Sequence, residues 1–172
     1  MASLMEELIA TLHQESALYE TLLDLSGKKT AVIVSGNLKE LSRITDEEQR
    51  TVAGIAAGEK KRISLMKDIA TVLNRDVDSL KLTDLVQMLE KRPEEQKRLA
   101  QERDHLKMVA DGVRRVNGQN QELLQSSLEM VQFEMNILQT SVRAPETANY
   151  TKAAGTSGDV IGLDQGRFDA KQ

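Results

Sequence analysis

Apolar residues recur along the first part of the chain at intervals of three and four, as Leu4, Leu8, Leu12, Tyr19, Leu22, Leu25, Val32 and Ile33. That interval keeps them on one face of a 3.6-residue turn and predicts a helix over about 3–34. Gly36 then offers a position that tolerates the left-handed conformation, and Asn37 followed by Glu40 reads as a capping box for a second helix. Leu38, Leu41, Val52, Ile55, Met66, Ile69 and Leu73 carry that second helix over about 37–74. Thr83 can cap a short third helix over about 83–91, which stops because Arg92 precedes a proline. Pro93 suits the first turn of a last helix, with Glu94 and Glu95 favourable at its positive end. This helix runs to about residue 143, where Ala144-Pro145 ends it.

Its roughly 50 residues make a rod of ~75 Å, against about 32 to 38 residues for each of the first two helices. If it returns antiparallel to the second, the excess emerges beside the Gly36 turn as Val131 to Val142. The expected fold is all-α: a long antiparallel three-helix bundle or coiled coil over residues 1–144, with one short extra helix. Residues 145–172 form a separate segment of Gly, Ala, Thr, Ser and Asp, too poor in apolar area to offset its ordering entropy. It reads as a flexible, disordered C-terminal tail. Tyr150, Val160, Ile161, Leu163 and Phe168 are nevertheless dispersed through it, where they can act as anchors for a partner.

Composition agrees with a helical chain. Aromatic content of 2%, no Trp and two Pro argue against sandwiches and barrels. The absence of Cys removes disulfides and thiolate metal sites. A net charge of -4 with both signs mixed leaves no basic stripe for a phosphate backbone, so nucleic acid is not an expected partner. No apolar run approaches the ~20 residues of a membrane span, and MASLMEELIATL lacks the basic start and long apolar run of a signal peptide. A cytoplasmic protein without direct membrane insertion is expected.

Catalytic signatures are missing. The chain has no G-x-S-x-G, no P-loop and no G-x-G-x-x-G, and its two histidines give one Glu-x-x-His pair, Glu102 with His105. A carboxylate-bridged di-iron bundle needs two such pairs plus two further Glu. Neither catalytic residues nor a metal or cofactor site is expected. Glu15, Glu48, Glu59, Arg62 and Asn120 fall at core-like phases within the apolar stripes; their simplest role is to set the register between long helices, with Glu59 and Arg62 able to pair at i,i+3.

LLQSSLEMVQFEMNIL, from Leu123 to Leu138, departs from a plain bundle helix. Its apolar residues sweep about 220°, whereas a surface helix carries a stripe a little over 100° wide. Leu124, Leu128, Val131, Met135 and Leu138 can serve the intramolecular core. Met130, Phe133 and Ile137 form a second flank, placed to take part in helix-in-groove binding or self-association, and Leu123 lies on the same side.

The order of features resembles the FlgN family of flagellar export chaperones: LHQESALYETLLDLSGKK in the first helix, LKELSRITDEEQRTVAGIAAGEKKR in the second, NGQNQELLQSSLEMV in the last, then a Tyr and a Gly-containing tail. The resemblance implies a cytoplasmic, non-enzymatic chaperone of flagellar type III secretion. Its clients would be the hook-associated proteins of the hook-filament junction, bound through their amphipathic terminal helices, kept from premature assembly and delivered to the export gate. It places substrate-protein binding in the C-terminal region, here Leu123, Met130, Phe133 and Ile137, and makes Tyr150 the candidate for gate docking. The alternative reading is a structural coiled-coil adaptor that self-associates, as a homodimer for instance, through the same flank and has no secretion client.

Overall fold

The computed structural model describes residues 2–77 and 79–142. The expected C-terminal tail, including Tyr150 and Phe168, lies outside the described residues. Four helices follow in order: α1 (Ala2–Ser35), α2 (Leu38–Leu73), α3 (Leu82–Met88) and α4 (Pro93–Val142). No strand occurs among the described residues, and the fold is the all-α bundle that the spacing predicts. Two compact units divide the chain, Met1–Glu134 and Met135–Gln172, and the bundle is built within the first.

The turns follow from local chemistry. Gly36, at φ +67°, closes α1 in a Schellman motif, in which the Asn37 N–H donates to Val32 O and the Gly36 N–H to Ile33 O. The Asn37 side chain then accepts from the Glu40 N–H at 3.1 Å and starts α2. Asn74 repeats the first device in left-handed conformation, with Arg75 N–H donating to Ala70 O, and ends α2. At α3 the cap differs from expectation. The helix begins after Lys81, and the Asp84 carboxylate reaches back to accept from the Lys81 N–H at 2.8 Å, so Thr83 is not the cap. Asp84 thus serves as the N3 member of a capping box, closing the first turn from inside the helix.

Side-chain pairs fix the topology. Along α1, Glu15, Leu18 and Lys29 meet Arg62, Gly54 and Glu48 of α2, partners that fall in number as α1 advances, so α2 runs antiparallel. His13, Glu20, Ser26 and Thr30 meet Glu102, His105, Asn117 and Asn120, partners that rise, so α4 runs parallel to α1. The separations along these last pairs are 85 to 91 residues. Ser35, the last residue of α1, therefore comes level with the turn of α4 around Gln125.

The main core sits at the opposite end. Leu8 and Leu12 of α1, Ile69 and Ala70 of α2, Leu85 and Leu89 of α3 and Leu99 of α4 form one buried cluster. Each fully buried Leu or Ile contributes about 1.5–3 kcal/mol, and α3 acts as the lid that lets Leu65, Ile69 and Leu99 be buried at the same level. A smaller cluster of Leu22, Ile55 and Val113, with Leu18, Tyr19 and Leu23 against it, continues the core along the helices.

Candidate functional site

Moving from that core toward the Gly36 turn, the interior becomes polar. Ser26 and Thr30 of α1, Glu48 of α2 and Asn117 and Asn120 of α4 meet at one level. Asn120 is buried; its amide donates to Ser26 O at 2.8 Å, and its oxygen accepts from the Thr30 hydroxyl at 2.6 Å. The Ser26 hydroxyl lies 3.1 Å from Glu48 Oε1 and 3.0 Å from Asn117 Oδ1, and Lys29 Nζ reaches Glu48 Oε2 at 2.7 Å. This node holds all three long helices in one register. Beside it opens a groove of about 280 Å³ lined by Leu22, Val52 and Leu124 together with Lys29, Glu48, Asn117, Asn120 and Gln121.

Deeper in the bundle, Glu15 is buried and its Oε2 accepts from Arg62 Nε at 2.9 Å, while Oε1 has no hydrogen-bond partner. Burial pushes the Glu15 carboxyl above its ordinary value, and the charge and hydrogen bond of Arg62 oppose that rise. Glu59 lies outside the core, its side chain 58% exposed and 3.6 Å from Arg62 Nη2. The buried partner of Arg62 is therefore Glu15 on another helix, and the i,i+3 pair is its solvent-facing neighbour. Both members of the Glu-x-x-His pair are turned to α1: Glu102 Oε1 meets His13 Nδ1 at 3.1 Å and His105 Nε2 meets Glu20 at 2.9 Å. Among the described residues no group of three His, Cys, Asp or Glu is placed to hold a metal ion, and no helix is long and apolar enough to cross a membrane.

Past the node, α4 changes character. Leu123 and Leu124 are half-buried, and every residue from Gln125 to Val142 is exposed. Within the first unit Leu128 is 70%, Met130 65% and Phe133 64% exposed. In the second unit Met135, Ile137, Leu138 and Val142 are exposed as well. The residues expected to serve the intramolecular core, Leu128, Val131, Met135 and Leu138, are thus uncovered along with the flank of Met130, Phe133 and Ile137. For the part of α4 up to Glu134 the reason is register, because α1 has ended by the level of Gln125. Near the same level Val34 and Leu38, on either side of the Gly36 turn, are also exposed. Periodicity places Leu38 on the apolar face of the second helix and does not single out Val34; the signal available was an apolar residue next to each helix cap.

Within the first unit α4 thus displays uncovered apolar side chains, a kind of surface that marks interaction sites. Comparison with known proteins identifies the family. The family model described as FlgN protein matches residues 1–158, and the chain belongs to the FlgN family, that of a flagellar export chaperone. It is 27% identical over 146 residues to the uncharacterized protein YvyG of Bacillus subtilis (strain 168), covering 85% of this chain and 86% of that protein. No solved structure matches the chain.

Proposed function

We propose that this chaperone works in the cytoplasm on hook-associated proteins of the hook-filament junction. It binds their amphipathic terminal helices on the exposed part of α4, prevents their premature assembly and delivers them to the export gate. The observation that carries this reading is the run of exposed residues from Gln125 to Val142, which holds Leu128, Met130, Val131, Phe133, Met135, Ile137 and Leu138. Apolar side chains in that number cost free energy in water, and exposed apolar residues grouped as Leu128, Met130, Val131 and Phe133 are within the first unit mark an interaction site. A client's amphipathic helix answers it with a matching stripe, and Met adapts to more than one partner. Leu123, half-buried, joins the surface to the bundle.

Tyr150 is proposed as the gate-docking residue, on the strength of its place after the last helix in the family pattern. Its ring can pack on a foreign surface while its hydroxyl keeps a hydrogen bond or water.

Calorimetric titration of the terminal segment of a junction protein into wild type and Phe133→Ala tests the client assignment. The reading requires a loss of affinity of about tenfold or more, in keeping with truncation of a central interface aromatic. Equal affinities would remove Phe133 from the site, and no binding by wild type would remove the client.

A further inference from the structure

The apolar flank of α4 is bordered by unneutralised carboxylates on both sides. At 3.6 residues per turn, Leu123, Met130 and Phe133 lie within an arc of about 80°, with Glu122 and Glu129 along one edge and Glu134 along the other. All three glutamates are exposed. Elsewhere in the bundle several acids are matched by a cation three or four residues away, as Asp24 is by Lys28, Glu40 by Arg43, Glu95 by Arg92 and Asp111 by Arg114. From Val116 to Val142 the sequence contains no Lys, Arg or His. Among the described residues Glu129 meets only the Gln125 amide, at 3.3 Å, and none of the three glutamates has a cationic partner. The other apolar stripe, Leu124, Leu128 and Val131, has Glu134 on one border and the amides Gln125 and Gln132 on the other, so the two-sided acidic border belongs to the Phe133 flank.

Resting on the client-binding reading above, we infer that the partner seated on this flank is an amphipathic helix carrying Lys or Arg along both borders of its apolar stripe, and that Glu122, Glu129 and Glu134 select it by charge. Charge complementarity decides against a second copy of this chain as occupant, because α4 against α4 would bring glutamates of like charge together around the apolar contact. Charges on a rim act mainly on discrimination and association rate, with the apolar stripe supplying most of the affinity.

The test uses the full chain and two synthetic helical peptides with one shared apolar stripe, one bordered by Lys on both sides and the other by Glu. Binding is followed by fluorescence anisotropy of a label on the peptide. The Lys-bordered peptide is expected to bind about tenfold tighter or more at low salt, with the preference shrinking as ionic strength rises. In the chain carrying Glu122→Lys, Glu129→Lys and Glu134→Lys the preference should reverse, and in the corresponding Gln variant it should vanish. All three sites are exposed, and circular dichroism of each variant verifies the helical fold. If both peptides bind equally and both lose affinity in Met130→Ser/Phe133→Ser, charge selection is wrong while the binding surface stands. If neither peptide binds, or the chain instead dimerises through α4, the inference falls together with the surface it rests on.

Discussion

The side-chain amide of Asn120 on α4 donates to the backbone carbonyl of Ser26 on α1 across 2.8 Å, inside a bundle whose other buried contacts at these helices are chiefly aliphatic. One buried amide thus fixes the rotation and axial position of α4 against α1. The exposed apolar stretch begins directly beyond it.

Asn120→Ala removes that donor and the acceptor of the Thr30 hydroxyl, which keeps only its 3.2 Å bond to Ser26 O. A loss of about 1–3 kcal/mol is expected from the two interhelical hydrogen bonds removed. Urea unfolding measures it. A neutral result would show that the node does not hold the register.

Glu15 links stability to pH. Its folded-state value is raised chiefly by burial, so between the ordinary carboxyl value and that raised value the folded chain binds more protons than the unfolded one. The contribution of this group is therefore most favourable in acid and is lost as pH rises through the raised value. Compared with Glu15→Gln, which does not titrate, wild type should gain relative stability as pH is lowered from neutrality toward the ordinary carboxyl value. Thermal unfolding of both proteins across that range checks it, and a pH-independent difference would contradict the assignment.

Two glycines on helix faces should respond in opposite ways to alanine. Gly118 has open space where a Cβ would go, whereas a Cβ on Gly58 would lie 2.9 Å from Glu15 Cγ. Gly118→Ala should stabilise the bundle by about 0.5–1 kcal/mol. Gly58→Ala should forfeit that gain or destabilise, because the buried Glu15 must move off Arg62. Equal effects in denaturant unfolding would mean that α1 and α2 are not this close.

Phe133 is 64% exposed, so Phe133→Ala should change the unfolding free energy by no more than about 0.5 kcal/mol. A buried Phe truncated to Ala costs about 3–5 kcal/mol. A loss in that higher range would place the ring within a core and end its role as a binding residue.

Local signals carried far in this chain because helix ends are decided by nearby atoms. Gly36 announced a turn and Asn37 a cap, and both form, while the Glu40 carboxylate pairs with Arg43 in place of closing the expected capping box. Asp84 was harder to read, since Thr83 beside it is also a good capping residue. Cross-helix register was not legible. Periodicity placed Glu15, Glu59 and Arg62 on inward-looking phases, yet pairing depends on which turn of α1 lies against which turn of α2, and that selected Glu15 over Glu59. The same gap led to Leu128 and Val131 being assigned to the core. Their stripe has the right period for burial, but the neighbouring helix ends too soon to cover it.

Hydrogen exchange on the free chaperone and on its complex with the terminal segment of a junction protein bears most directly on the central claim that the exposed part of α4 is the client-binding surface. Helical amides with little tertiary cover open locally at low cost, so residues 125–142 should exchange quickly in the free chain. Bound client should slow them strongly while leaving the Leu8, Ile69 and Leu99 core unchanged. Protection that appears elsewhere in the bundle, with residues 125–142 exchanging as before, would contradict the account.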